Sequence, residues 1–358
     1  MPRARSNLYL PLLIPVLALL AIGVLFVYSA SSGYTRNYMP RQLTWALVGL
    51  GIATVTSLVP LRLWRHWALP LYLSSLGMLV VVLLFGDVRN GARCWLGVGG
   101  LGIQPSEFAK LGLILIVARY LSDFEEHRHD LRYFMISFGL LALPLLLILA
   151  QPDLGTALVF LPIVLAMFYV TGTRLLLLGS TLGAGLLSFP VLWLTMSPRQ
   201  KDRILFTWHP ELDAPGVGYQ AVQSKIAIGS GMLRGRGFLH SIQSRLNFLP
   251  ERHTDFVFSV IGEEWGFFGC LLVIGLYAWL ITVALSISYR ATDVFSRAVA
   301  VGIATMFATH VIMNIGMAVG LLPIIGLPLP FVSYGGSAMI TSLIALALLH
   351  SVQCQATA

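Results

Sequence analysis

The feature that most constrains this chain is a succession of ten apolar stretches, near residues 8–28, 44–59, 67–85, 108–121, 133–150, 155–171, 175–196, 254–288, 297–320 and 333–351. A helix needs about 20 such residues to cross a ~30 Å hydrocarbon core. The chain is 57% hydrophobic and only 11% charged, more apolar surface than a soluble domain can hide. The expected fold is therefore all-α: a polytopic membrane protein, one integral domain over 1–358, with about ten transmembrane helices. The second and fourth stretches are short for a span, and the eighth is long enough to tilt or project. Arg3 and Arg5 ahead of the first stretch mimic a signal peptide, but that stretch exceeds a usual h-region and reads as an uncleaved span.

An even number of spans puts both termini on one side, and basic residues in the short connections decide which. With a cytoplasmic N-terminus, the inner side holds Arg3, Arg5, Arg62, Arg65, Arg119, Arg128, Arg132, Arg174, Arg290 and Arg297. The outer side holds only Arg36, Arg41, Arg89 and Arg93. The one long connection, 197–253, pulls the other way with Arg199, Lys201, Arg203, Lys225, Arg234, Arg236, Arg245 and Arg252. Long loops translocate largely regardless of charge. The expectation is a membrane protein with both termini cytoplasmic and 197–253 as an extracytoplasmic loop. A basic outer loop suits either lipid phosphates or an anionic substrate. Nothing interleaves the net charge of +8 with aromatics as a nucleic-acid groove would, so no nucleic-acid partner is expected.

Within the loop, YQAVQSKIAIG at 219–229 puts Ala221, Val222, Ile226 and Ala227 on one face, which predicts a short interfacial helix. Gly229, Gly231, Gly235 and Gly237 follow, either as plain loop or as a nest of backbone amides for phosphate. Cys94, Cys270 and Cys354 are too scattered for a disulfide framework, and no His or Cys spacing resembles a zinc site.

Carboxylates in or beside a span need a reason, since Asp costs roughly 2.5–3.5 kcal/mol at a helix centre. In LPERHTDFVFSVIGEEWG, at Leu249–Gly266, Glu251, Arg252, His253 and Asp255 crowd the mouth of the eighth stretch. Asp255 either caps that helix or acts as a general base whose pKa is raised by reduced hydration. Glu107 and Lys110 read as an i,i+3 salt bridge or as ligand contacts. Asp153, after Gln151-Pro152, reads as a cap for the sixth stretch, as a partner for Lys110, or as a contact to part of a pyrophosphate-sugar ligand. Arg41, Lys110, Asp153 and Asp255 all fall towards one membrane face. Glu263 and Glu264 lie about 12 and 13 Å further along the helix than Asp255, too far to share its pocket, and read as structural, one of them pairing with His310 or another buried polar group. His310 and Asn314, four apart, suggest interhelical hydrogen bonding.

Ordered motifs across the whole chain resemble the SEDS family (shape, elongation, division and sporulation). They are Gly91-Ala92-Arg93 through Gln104-Pro105-Ser106-Glu107-Phe108-Ala109-Lys110, Gln151-Pro152-Asp153-Leu154-Gly155-Thr156-Ala157, and Gly218-Tyr219-Gln220 through Ser224. Leu249–Gly266 and Gly326-Leu327-Pro328-Leu329-Pro330-Phe331-Val332-Ser333-Tyr334-Gly335-Gly336-Ser337 complete the set. Arg252 and the Gly326–Pro330 run resemble the elongation members more than the division members. The resemblance implies a glycosyltransferase that polymerises lipid II into peptidoglycan glycan strands outside the cytoplasmic membrane, beside a class B penicillin-binding protein that cross-links the product. It implies catalytic dependence on Asp255 and a polar substrate cavity holding Lys110, Glu107 and Asp153.

The donor sugar's α-pyrophosphate linkage and the β-1,4 product make the expected reaction an inversion. One base takes the proton of the acceptor 4-hydroxyl while cations stabilise the departing pyrophosphate. Asp255 is the expected base. Arg41, Lys110, Lys201 and Arg203 are the expected cations, Lys110 the best placed, and Asp153 would hold Lys110 or a divalent ion. Mg²⁺ often accompanies pyrophosphate chemistry, though no dedicated cage is visible. Two other classes stand beside this one: a lipid II flippase, and a non-catalytic scaffold for a transpeptidase.

Overall fold

The computed structural model describes residues 9–32, 37–89, 92–97, 102–208, 216–245 and 248–356. Arg3, Arg5 and Arg36 of the charge count lie outside the described residues. Each apolar stretch is a helix. The first seven are α1 Leu10–Ser31, α2 Met39–Ser57, α3 Leu61–Phe85, α4 Pro105–Asp123, α5 Leu131–Ala150, α6 Leu154–Val170 and α7 Leu175–Thr195. The long connection folds into α8 Pro198–Trp208, α9 Val217–Ser230 and α10 Ile242–Arg245. α11 Val257–Arg290, α12 Val294–Ala318 and α13 Gly336–Ala356 complete the bundle. Among the described residues, six of these helices are by themselves long and apolar enough to cross a membrane.

The two short stretches gain length from polar residues turned inward. α2 begins with Met39-Pro40-Arg41-Gln42 and buries Gln42, whose amide donates to Ser333 O at 3.2 Å. α4 begins with Pro105-Ser106-Glu107 and buries Glu107 and Lys110. Proline in the first turn of α1, α2 and α4 costs no hydrogen bond, because those N–H groups lack helical partners anyway. α12 sits centrally, packed on α4, α6, α11 and α13, whereas α3 turns most of its surface to lipid. Between α3 and α4 lies an antiparallel hairpin, β1 Asp87–Arg89 with β2 Ala92–Trp95, that hydropathy alone does not predict.

The eighth stretch is not one straight helix. At Gly266 the backbone turns to φ 64°, ψ −158°, and the helical ladder breaks. The freed groups bond the connection: Arg236 N–H and Gly237 N–H donate to Glu263 O and Glu264 O, both at 3.0 Å. Phe267 N–H and Phe268 N–H donate to Met232 O and Leu233 O at 2.9 and 3.3 Å. In lipid this is the condition for a broken span to survive.

That contact overturns the phosphate-nest reading of the glycines. A Cβ on Gly231 would stand 1.9 Å from Gly262 O, and one on Gly235 would stand 2.1 Å from Glu264 O. These two glycines serve close backbone packing. The helix expected over 219–229 is present as α9, which packs on α11; its buried positions are Ala221, Ser224 and Ala227, while Ile226, expected on the same face, is exposed. Ser224 Oγ lies 2.6 Å from Ser259 Oγ and donates to Ala318 O. Neither Glu263 nor Glu264 bonds His310. Glu263 accepts from Ser241 Oγ and from the N–H groups of Ile242 and Gln243, and Glu264 accepts from Ser29 Oγ. They fasten the connection and α1 to the break.

Candidate functional site

Where the hairpin, the starts of α4 and α6, α8 and the connection from α12 to α13 converge, a cavity of about 420 Å³ opens. Asp255, Asp153, Gln104, Arg203, His253 and Tyr334 line it. Asp255 stands in a turn, its N–H donating to Glu251 O at 2.9 Å. The N-cap of α11 is Phe256, and no side chain caps that end, so Asp255 is not spent as a cap. Its carbonyl accepts from Asn314 Nδ2 at 3.0 Å, and its carboxyl faces Gly326, where a Cβ would come within 3.3 Å of Oδ2.

Burial pushes the Asp255 carboxyl up to about 7, and the charge of Glu251 adds to the rise. A bond to the Thr254 hydroxyl and the charge of Arg203 oppose it. Near neutrality such a group is present as both acid and base, as proton transfer requires. Burial also holds the neighbouring His253 below its ordinary value, towards the neutral imidazole, with Glu251 pulling up and Arg252 down. The His253 ring stacks on Tyr38, centroids 4.4 Å apart, and Arg252 ties the turn to α1 through Nε–H to Ala30 O at 2.6 Å.

Asp153 is the N-cap of α6, accepting from Thr156 N–H at 3.1 Å and Thr156 Oγ1 at 2.8 Å. Gln104 Nε2 donates to its Oδ2 at 3.2 Å. Burial raises its pKa, and both Thr156 bonds and the more distant charge of Lys110 restrain the rise. The next residue but one, Gly155, leaves no room for a side chain, since its Cβ would meet Ile325 O at 2.4 Å.

Lys110 does not bond Asp153, contrary to the sequence expectation. The face of α4 that carries it points into the bundle, where Nζ meets Glu107 Oε1 and His310 Nε2, each at 2.7 Å. An ammonium has only donors, so His310 Nε2 is the acceptor and Nδ1 carries the proton that reaches Pro328 O at 3.2 Å. Four residues on, Asn314 Nδ2 donates to Leu327 O at 2.7 Å as well as to Asp255 O. The α12 pair thus bonds the 327–328 connection, with Pro328 in the cavity wall, as interhelical hydrogen bonding implied.

Comparison with known proteins fits this geometry. The FtsW/RodA/SpoVE family, described as cell cycle proteins, matches residues 10–358. The chain belongs to this family, the SEDS proteins. The peptidoglycan glycosyltransferase MrdB of Escherichia coli K12 is 40% identical over 342 residues, covering 95% of this chain and 92% of that one. The peptidoglycan glycosyltransferase RodA of Treponema pallidum is 33% identical, covering 99% of each. Among solved structures, a peptidoglycan synthase complex studied for its coordination of polymerization and crosslinking matches with a TM-score of 0.81 and 32% identity, over 96% of this chain and 97% of that one. The rod-shape-determining protein RodA of Thermus thermophilus matches at 0.71, 31% identical over 96% of each chain.

In this SEDS protein the cavity gathers only part of the expected set. Asp255, Asp153 and Arg203 line it; Lys110 and Glu107 lie buried behind its wall. Arg41, on α2, is not in the lining, where Trp45 one turn later is. Lys201 also misses it, its Nζ instead lying 5.9 Å from the centroid of the Trp193 ring. Glu251 and His253, from the cluster at the mouth of the eighth stretch, line the cavity beside Asp255; Gln104 and Tyr334 line it without having been singled out, though each lies inside a family motif. Among the described residues no three His, Cys, Asp or Glu side chains are grouped to hold a metal ion.

Proposed function

We propose that this chain is a peptidoglycan glycosyltransferase that polymerises lipid II during cell elongation, with Asp255 as general base. In this reading the acceptor 4-hydroxyl attacks the donor C1 from the face opposite the pyrophosphate. The new C–O bond forms as the C1–O bond to pyrophosphate breaks, and the hydroxyl proton passes to Asp255. Arg203, in the same cavity, offers charge to the leaving pyrophosphate, and Asp153 with Gln104 offers acceptors and donors to sugar hydroxyls. Glu107 and Lys110 act through the wall by fixing His310 and the 327–328 connection.

The observation that carries this reading is the carboxyl of Asp255, facing a cavity beside Arg203 with its pKa raised to about 7. Membership of a family whose relatives are named for the same activity supports it. A cross-linking partner, a class B penicillin-binding protein, fits the likeness to a synthase complex that couples the two reactions. The cavity then opens to the outer face, with both termini cytoplasmic.

Purified chain incubated with lipid II, read on a gel for glycan polymer, tests the proposal. Asp255→Asn keeps the shape and removes the base, so polymer formation should fall at least ~10²-fold while the protein remains folded. Wild-type polymer from the Asn variant would remove Asp255 from the chemistry. No polymer from wild type, with lipid II moved between leaflets of a vesicle, would favour a flippase.

A further inference from the structure

A second, smaller cavity of about 220 Å³ is lined by Arg62, Arg65, His66, Arg119 and Asp123. Helix polarity places it opposite Asp255. α4 starts at the large cavity and reaches Asp123 at the end of its 19 residues, about 28 Å away at the helical rise. α3 runs back, from Leu61 beside Arg62 to Phe85 beside the hairpin. The separation matches a hydrocarbon core of ~30 Å, so the two cavities open at opposite membrane surfaces.

The arginines are held in place. Arg65 Nη2 meets Asp123 Oδ1 at 2.5 Å, and Arg119 Nε meets Oδ2 at 3.4 Å. Arg119 Nη1 also donates to the carbonyls of Arg65 and His66, at 3.5 and 3.3 Å. Asp123 therefore orders two guanidinium groups without neutralising the three that line the cavity. Arg62 is exposed and has no hydrogen bond or ion pair among the described residues. The surplus is local: the connection from α4 to α5 and the first turn of α5 set Glu125, Glu126 and Asp130 against Arg128 and Arg132.

The surroundings specify an anion with an apolar tail. The cavity is smaller than the ~300–1,000 Å³ that encloses a drug-sized ligand, and suits one charged group. Leu58, Leu63 and Trp67, close in sequence to the lining residues Arg62 and His66, are exposed at 74%, 46% and 54%. Trp67 meets His66 edge-on at 6.0 Å, the kind of aromatic that settles at the lipid–water interface. Beyond it α3 presents Leu69 and Leu73 outward, a surface for acyl chains.

We propose that this cavity binds the phosphodiester headgroup of an anionic phospholipid in the leaflet opposite the Asp255 cavity. Arg62 supplies the open fork and the Asp123-ordered arginines the fixed charge, since guanidinium groups match phosphate in two-point contacts. The site does not depend on which reaction the large cavity performs.

Native mass spectrometry of the full chain in detergent, titrated with phosphatidylglycerol or with phosphatidylcholine of the same acyl chains, tests this. Phosphatidylglycerol should be retained and phosphatidylcholine lost. Arg62→Gln should weaken retention about fivefold, the effect of one arginine near an anionic lipid, and Arg62→Lys should restore most of it. Because Arg62 is exposed and makes no hydrogen bond or ion pair among the described residues, the melting temperature should not move. Equal retention of both lipids, or unchanged retention in Arg62→Gln, overturns the proposal. So does displacement of the lipid by excess inorganic phosphate or an acidic peptide, which would assign the cavity to soluble anions.

Discussion

If Asp255 is the base, its ionisation sets the acid limb of the rate. A base works deprotonated, so activity is lost as pH falls through its pKa and recovered as pH rises. With the carboxyl at about 7, the ionised fraction grows from about one tenth at pH 6 to about nine tenths at pH 8, roughly tenfold. The charged neighbours make the prediction specific. Glu251 raises the pKa, so Glu251→Gln should move the limb to lower pH and increase the rate at pH 6. Arg203 lowers it, so Arg203→Gln should move the limb to higher pH, on top of any loss from a weaker grip on the leaving group. Initial polymerisation rates of purified chain at lipid II well below saturation, which follow kcat/KM and so the free enzyme, measured from pH 5.5 to 8.5 with the same detergent and salt, read both shifts. A flat profile between pH 6 and 8, or an upward shift in Glu251→Gln, would refute Asp255 as the titrating base.

Three further outcomes follow from the packing. Lys110→Ala leaves Glu107 charged and unpaired in the bundle, at a cost of about 3–5 kcal/mol, and should lower the melting temperature sharply; Glu107→Ala should do the same, and the double variant should lose less than the sum. Gly266→Ala puts a Cβ 2.3 Å from Gly235 N at a φ of 64°, so the chain should fail to accumulate as monodisperse protein, whereas Gly275→Ala, with open space, should be neutral. For the membrane orientation, in a background without Cys94, Cys270 and Cys354, His240→Cys should react with an impermeant maleimide in spheroplasts and Thr292→Cys should not; the inverse pattern would put Asp255 in the cytoplasm and defeat the polymerase reading.

Helix number was legible because lipid demands apolar length, and each of the ten stretches became a helix. Asp153 as a cap and Glu107–Lys110 as an i,i+3 pair were legible because both are local geometries. The supposed Lys110–Asp153 bond was not, because the direction of Lys110 depends on where α12 brings His310, a contact 200 residues away. Arg41 and Lys201 show the same limit: charge and membrane side say nothing about whether a side chain turns into a cavity or lies on Trp193. The break at Gly266 was hidden for a related reason. Hydropathy runs straight through it, and only the backbone of 232–237 reveals where the freed carbonyls and N–H groups go.

The cavity is built mostly from irregular backbone, yet irregular backbone is what a membrane protein can least leave unsupported. The support comes from buried polar side chains on the helices. Asn314 spans Asp255 and Leu327, His310 bonds Pro328, and Gln42 bonds Ser333. Ser337 Oγ accepts from Gln104 N–H at 2.9 Å, and Gln151 bonds Leu79 O while its own carbonyl accepts from Arg93 N–H. Each bond fastens a segment at or next to the cavity wall to a neighbouring element. Hydrocarbon disfavours a buried polar group without a partner, and the amide nitrogens of Gln42 and Asn314 find theirs in backbone at or beside the wall of the site.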